Sequence, residues 1–416
     1  MRSWAKLVSA AAAFASTGAA VAAVAAGGIL LSACTSCDSI VRQTALPVLA
    51  AGNFDAVEAD PAGHRIFYAD QATHGVDIVD ISTGSPRFVG VIDVAGATKG
   101  LAYAPDRYRL YAGIESGYVA VVNTDPTSPQ YMHMIDQVTV DQTTADLLDY
   151  SPTTHTVYAG TGHSNAVVAI DANTDKVTSR YDAGSAVEQP RFNPVDGNLY
   201  VTTPGTDSVL QINTVTGKVT RTYTIRHCHP TGLAINPSRQ LAMVACRSST
   251  GLINLRTGAN EVSRTVSGGD LVGYDAGADR FIVGASHGPK DSSVGVFDGD
   301  GQFLAQVQTS DHAHAAVIDD ATGVVYAASA VGLLSFSPSA CPPPPGWLPL
   351  AGGILMYTLP LAAFGLFLVL YARRRMGDTP RAPRGPTWDE LRKDDLEAER
   401  ERIRDLEDAI YGPESG

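Results

Sequence analysis

Between residues 44 and 337 the chain repeats one hydrophobic pattern: a short alternating run, a turn, an apolar strand rich in aromatic rings, a loop, an apolar strand ending in Asp or Asn, then a turn and one more strand. The second strand of the unit is clearest. It reads Ile66-Phe67-Tyr68, Leu110-Tyr111-Ala112, Val157-Tyr158-Ala159, Leu199-Tyr200-Val201, Leu241-Ala242-Met243, Phe281-Ile282-Val283 and Val325-Tyr326-Ala327, at intervals of about 40 to 47 residues. That is the spacing of four-stranded blades. The third strand sets the same register independently, with Val79-Asp80, Val122-Asn123, Ile170-Asp171, Ile212-Asn213, Ile253-Asn254 and Phe297-Asp298. A terminal Asp or Asn suits the place because its side chain caps the backbone of the following turn. Thr-Gly pairs at Thr83-Gly84, Thr216-Gly217 and Thr257-Gly258 complete that turn.

Seven copies predict an all-β fold, a seven-bladed β-propeller. The seventh copy stops after its third strand, near Phe336, and runs into the prolines from Pro342 to Pro345. Thr44 to Ala50 stands where a fourth strand belongs, so an N-terminal strand is expected to pair with the last blade and close the ring. Closure removes two sheet edges that would otherwise invite aggregation.

The two ends of the chain are patterned differently. Residues 1–33 open with Arg2 and Lys6, continue through an alanine-rich apolar stretch and finish at Leu31-Ser32-Ala33-Cys34, the order of a bacterial export signal. The last four residues resemble a lipobox, which would put a lipid on Cys34; an uncleaved anchor or an ordinary signal peptide is the alternative, and each exports the downstream chain. Residues 347–372 are almost uncharged and long enough for a transmembrane helix, with Pro360 as a kink. Arg373, Arg374 and Arg375 come directly after it, which places the tail in the cytoplasm and the propeller outside the bacterial cytoplasmic membrane. The tail, 373–416, holds a charged helix from Thr387 to Tyr411, with Leu396, Ile403, Leu406 and Ile410 on one seam that suits a cytoplasmic protein partner. The expected division is export signal 1–33, tether 34–43, propeller 44–341, Pro-rich linker 342–346, transmembrane helix 347–372 and tail 373–416.

Five cysteines in an exported chain invite pairing, and with Cys34 lipidated the other four allow three connectivities. Cys228 and Cys246 flank the first two strands of the fifth blade, and Cys37 and Cys341 flank the strands that close the ring. These are the favoured pairs; buried unpaired thiols are the alternative.

The stretch His227-Cys228-His229-Pro230-Thr231-Gly232-Leu233-Ala234-Ile235-Asn236-Pro237, followed by Met243-Val244-Ala245-Cys246, resembles the YncE-like, YVTN-repeat β-propeller proteins. The resemblance covers nearly all of residues 44–337. It implies the propeller fold and leaves activity open, because propellers of this shape serve as binding platforms, lactonases, dehydrogenase subunits and the copper-binding domain of nitrous oxide reductase.

Repeat position places His74, His163, His227, His229, His287, His312 and His314, out of ten histidines, on one propeller face. Imidazoles converging on one axis would suit copper or zinc, although no recognised metal spacing is present. Glu115, Glu188, Asp207 and Asp270, with Lys99 and Arg247, fall on the same face. A lactonase-like hydrolase would need two such carboxylates at working distance, about 5 to 9 Å by analogy with glycoside hydrolysis. No nucleophile elbow, phosphate loop or dinucleotide fingerprint is present. The formal net charge of −13 argues against nucleic-acid binding. The leading expectation is therefore a noncatalytic binding or scaffolding propeller with a protein partner on its face; a metal-binding or redox accessory protein and a lactonase-like hydrolase are the alternatives.

Overall fold

The computed structural model describes residues 41–44, 54–286, 292–309, 313–329 and 332–341, together with 397 and 400. Seven four-stranded antiparallel sheets follow one another around a ring. The innermost strands, in blade order, are Phe54–Asp60, Thr98–Ala104, Ala145–Ser151, Pro190–Asn193, Pro230–Asn236, Gly269–Asp275 and Ala316–Asp319. The residues expected in the second strands are the core of the ring: Tyr68, Tyr111, Tyr158, Tyr200 and Phe281 are among its largest fully buried side chains. Burying a ring of that size between adjacent sheets is a large apolar gain for each blade that carries one. Where a tyrosine is used, its hydroxyl often finds an acceptor, as in Tyr111 donating to Asp175 Oδ1 at 2.7 Å and Tyr200 to Asp196 Oδ2 at 2.6 Å.

The third-strand carboxylates and amides do what their position implies. Asp80 accepts from Ser82 N at 2.9 Å, Asn123 from Asp125 N at 2.9 Å, Asp171 from Asn173 N at 2.7 Å, Asn213 from Thr216 N at 2.8 Å, Asn254 from Thr257 N at 3.0 Å and Asp298 from Gln302 N at 2.8 Å. Gly217 and Gly258 sit in these turns at φ of 71° and 83°, a region that penalises a Cβ.

The ring closes at its termini as expected, with a strand that begins two residues before the expected segment and shares Thr44 with it. Arg42–Thr44 pairs with Gly332–Phe336 as the fourth strand of the last blade, Arg42 opposite Ser335 and Thr44 opposite Leu333. Arg42 and Gln43 thus belong to the propeller and not to the tether; residues 45–53 lie outside the described residues. Cys228 and Cys246 form a disulfide across the first hairpin of the fifth blade, with Cα atoms 4.6 Å apart. Cys341 is disulfide-bonded as well, while Cys37 and Cys34 lie outside the described residues.

The chain divides into two compact units, 1–345 and 346–416. In the second unit, Glu397 and Arg400 are helical and exposed. The expected transmembrane segment, 347–372, lies outside the described residues, and among the described residues no helix is long and apolar enough to cross a membrane.

Candidate functional site

The innermost strands carry a local irregularity that aims side chains at the mouth of the central channel. In five blades the pairing of first and second strands shifts by one residue near the start of the first strand: between Phe54 and Val57, Thr98 and Leu101, Ala145 and Leu148, Pro230 and Leu233, and Gly269 and Val272. Two residues there oppose one, which is a β-bulge, and bulges re-aim side chains. The bulged positions hold Asp55, Lys99, Asp146, Thr231 and Asp270. Close approach of one blade to the next accompanies the bulge. A Cβ on Gly232 would stand 2.0 Å from the Asp270 carbonyl oxygen, and one on Gly100 would stand 2.2 Å from that of Asp146. The fourth and seventh blades lack the bulge, and Glu188 and His314 precede their first strands.

These residues form a mouth rich in carboxylates. Lys99 Nζ lies 3.7 Å from Asp55 Oδ2, which also accepts from Gln71 Nε2 at 2.9 Å. His314 Nδ1 lies 2.6 Å from Asp270 Oδ2. Beside that pair, Thr231, Arg247, Gly268 and Ser286 border a recess of ≈ 430 Å³. Burial and the charge of Asp270 push the Asp55 carboxyl up to about 6. Burial and the charges of Asp146, Asp270 and Asp55 push Glu188 up to about 8. Burial and Asp270 raise Asp146 too, despite Lys99. Burial works against a charged His314 ring, yet the hydrogen bond to Asp270 and the charges of Asp270 and Asp55 prevail and raise it. Four carboxyls, of Asp55, Asp146, Glu188 and Asp270, thus stand with Lys99, His314 and, in the recess, Arg247.

Below the mouth, Leu101, Leu147 and Leu271 make an apolar layer, and a cavity of ≈ 370 Å³ continues along the channel to the opposite face. Its far end carries Glu58, Asp149, Arg191 and Asp320 with Tyr150, Phe192 and Tyr274. Arg191 Nη1 stands 3.4 Å from Asp149 Oδ1, and Asp149 Oδ2 accepts the Phe192 N–H at 2.7 Å. Burial drives Glu58 up to about 8; Arg191 opposes that rise, and Asp149 and Asp320 add to it.

The expected site residues separate into three groups. Glu188, Asp270, Lys99, Arg247 and His314 do come together at the mouth or its recess. Asp207 does not: its carboxylate accepts the His227 N–H at 2.9 Å and the His229 N–H at 2.8 Å, clasping the turn around Cys228. The His229 and His227 N–H groups hold its carboxyl below the usual range. Glu115 is exposed on the turn after the second strand of blade two. Of the histidines, His74 and His163 are exposed on separate turns of the expected face, His227 and His229 are exposed on one turn either side of Cys228, and His287 and His312 lie outside the described residues. Among the described residues no group of three or more His, Cys, Asp or Glu side chains is placed to hold a metal ion. Asp55 and Asp146 at the mouth, and the whole cluster around Glu58, were not expected from the sequence. The signal for the first two lay in the repeat: they share the bulge position with Lys99, Thr231 and Asp270.

No protein-family model matches the chain, and no curated protein matches it at a significant level. Among solved structures the chain is similar to one of hydrazine synthase from Kuenenia stuttgartiensis, with a TM-score of 0.59 at 17% identity over 69% of this chain and 96% of that chain. At that identity the likeness is one of fold, and what it shows is a β-propeller.

Proposed function

We propose that this chain is a noncatalytic binding module of the YncE-like, YVTN-repeat kind, whose propeller stands outside the cytoplasmic membrane and recognises a cationic segment of a protein partner at the acidic channel mouth. The observation that carries this reading is the convergence of Asp55, Asp146, Glu188 and Asp270 from four blades around one opening, with Lys99, His314 and Arg247 among them. Desolvation and mutual repulsion raise Asp55 and Glu188 in the unbound protein, so a cation arriving at the mouth would displace the proton that Glu188 holds near neutral pH and take its place beside the carboxylate. The presentation outside the membrane is supported by the export-signal pattern of 1–33, the lipobox at Cys34, the apolar run 347–372 and the arginines directly after it. The tail helix gives the same chain a second contact point on the cytoplasmic side.

The test uses the full chain in native membranes, with a photoreactive side chain in place of Arg247 at the mouth or in place of Thr153 on the opposite face. A discrete protein adduct is expected from position 247, weakening as salt is raised, and little from position 153. Equal labelling from both positions, or an adduct indifferent to salt, would overturn the reading.

A further inference from the structure

The far end of the channel has the features of a second site, separate from the mouth in both lining and chemistry. Its cavity, at ≈ 370 Å³, falls within the range of about 300 to 1,000 Å³ that small-molecule sites occupy. Its one cation is already committed. Arg191 Nη1 lies 3.4 Å from Asp149 Oδ1 and donates to the carbonyl oxygens of Leu148 and Pro190 at 3.2 Å each. Asp149 is committed in turn, to Arg191 and to the Phe192 N–H. That leaves Glu58 and Asp320 facing the cavity with no hydrogen-bond partner among the described residues. Tyr150 and Tyr274 are fixed by hydroxyls that donate outside the cavity, to Asp106 Oδ1 at 2.8 Å and Asp279 Oδ1 at 2.9 Å, and Phe192 is stacked on Tyr158. Aromatic rings held in place beside an uncompensated carboxyl recognise one class of ligand above others. The rings favour a soft cation with an apolar body, and the carboxyl supplies its counter-charge.

We infer that the channel end opposite the acidic mouth binds a small organic monocation, a compact ammonium with an apolar body, with Glu58 as its counter-charge and Tyr150, Phe192 and Tyr274 as its walls. An anion is excluded by Glu58, Asp149 and Asp320 against Arg191 alone. A strongly hydrated inorganic cation gains nothing from the aromatic walls. The inference does not rest on partner recognition at the mouth, since the two sites share no charged residue.

Glu58 holds its proton near neutral pH in the ligand-free protein, because of burial and the neighbouring Asp149 and Asp320. An ammonium arriving beside it expels that proton to water, so binding is coupled to proton release. The other titratable groups on the cavity are Asp149, Arg191, Asp320, Tyr150 and Tyr274, and burial raises Tyr150 and Tyr274 further from titration near neutrality.

The experiment is calorimetry on the full chain in detergent, with choline as the probe and its neutral carbon isostere dimethylbutanol as the control, in two buffers of different ionisation enthalpy. Choline is expected to bind with release of roughly one proton near pH 7 and with affinity rising toward pH 9. Dimethylbutanol should bind at least about tenfold more weakly, which corresponds to ~1.4 kcal/mol. Glu58→Gln, close in shape to the native side chain, should weaken choline about tenfold or more and abolish the proton release. Asp320→Asn, on an exposed side chain, should weaken it only two- to threefold, roughly as a rim charge does. Absence of choline binding, equal affinity for the isostere, or a Glu58→Gln chain that still binds and releases a proton would each overturn the inference. The ring variant Asp270→Asn should leave choline affinity unchanged, so failure here is distinguishable from failure of the mouth as a partner surface.

Discussion

The two ends of one channel solve the burial of carboxylates differently. At the mouth, Asp55, Asp146 and Asp270 project from bulged strand starts and Glu188 from the segment before an unbulged one, with Lys99, His314 and Arg247 among them. At the far end, Arg191 and Asp149 close on each other and on the backbone, so Glu58 and Asp320 are left without a hydrogen-bond partner among the described residues, beside the aromatic walls. An open ring of negative charge suits a partner that brings several cations on a chain. A pocket whose one cation is already held by Asp149, with Glu58 and the exposed Asp320 left over, suits a single small cation. On the proposed reading, position along the strand distinguishes the two ends more than residue type does, because both are built from the same acids.

The largest expected effect on this contrast comes from the backbone of the mouth. Gly232→Val would force a Cβ into the Asp270 carbonyl oxygen, where even an ideal position is 2.0 Å away. The cost should be about 4 kcal/mol or more, read as loss of folded protein or a large fall in denaturation midpoint. Gly90→Ala, whose Cβ meets nothing within 4 Å, is the matched control and should be near neutral.

Arg191→Met comes next and acts on the other end only. It strands Asp149 beside Glu58 without a cation, at a cost of about 2 kcal/mol in urea denaturation near neutral pH, below the ~3 to 5 kcal/mol of a fully buried pair because both side chains border the channel. The loss should shrink at low pH, where Asp149 takes up a proton. Adduct formation from position 247 should survive.

The smallest effect is a slope with pH. Glu58 and Glu188 are raised to about 8, Asp77 to about 7 and Asp55 to about 6, all chiefly by burial. A carboxyl raised on folding binds its proton more tightly in the native state, so the stability these four groups contribute is greatest at low pH and is lost as pH rises through these values. The melting temperature should fall by roughly 5 °C between about pH 5.5 and about pH 8.5, a figure discounted for channel solvent. Glu58→Gln and Glu188→Gln should each flatten that slope, and a chain whose melting temperature rises with pH would show that the carboxyls are not desolvated as described.

Much of this architecture was readable in advance because it follows from repeated local chemistry. The buried tyrosines, the capping Asp and Asn side chains and the Thr-Gly turns each recur at a fixed place, so one copy supports the next. The closing strand was found but its start was set two residues late, since Arg42–Thr44 has no repeat to set its register and polar residues fill it. The histidine face was legible as a face but not as a site: side chains on successive outer turns of a ring share a side without meeting. The mouth was half legible. Glu188, Asp270, Lys99 and His314 were found by loop position, whereas Asp55 and Asp146 sit inside first strands and are turned to the channel by bulges that simple alternation hides. Glu58 and Asp149, three residues further along the same strands, read as ordinary strand polar positions until the channel's register is known.

The central claim, that the channel carries two separate recognition sites, is tested most directly by photocrosslinking from position 247 in native membranes, comparing two variants side by side. One neutralises the mouth with Asp55→Asn, Asp146→Asn, Glu188→Gln and Asp270→Asn; the other carries Glu58→Gln alone. The account expects the partner adduct to disappear in the first and to persist at wild-type yield in the second. An adduct that persists when the mouth is neutralised, or that is lost with Glu58, would contradict it.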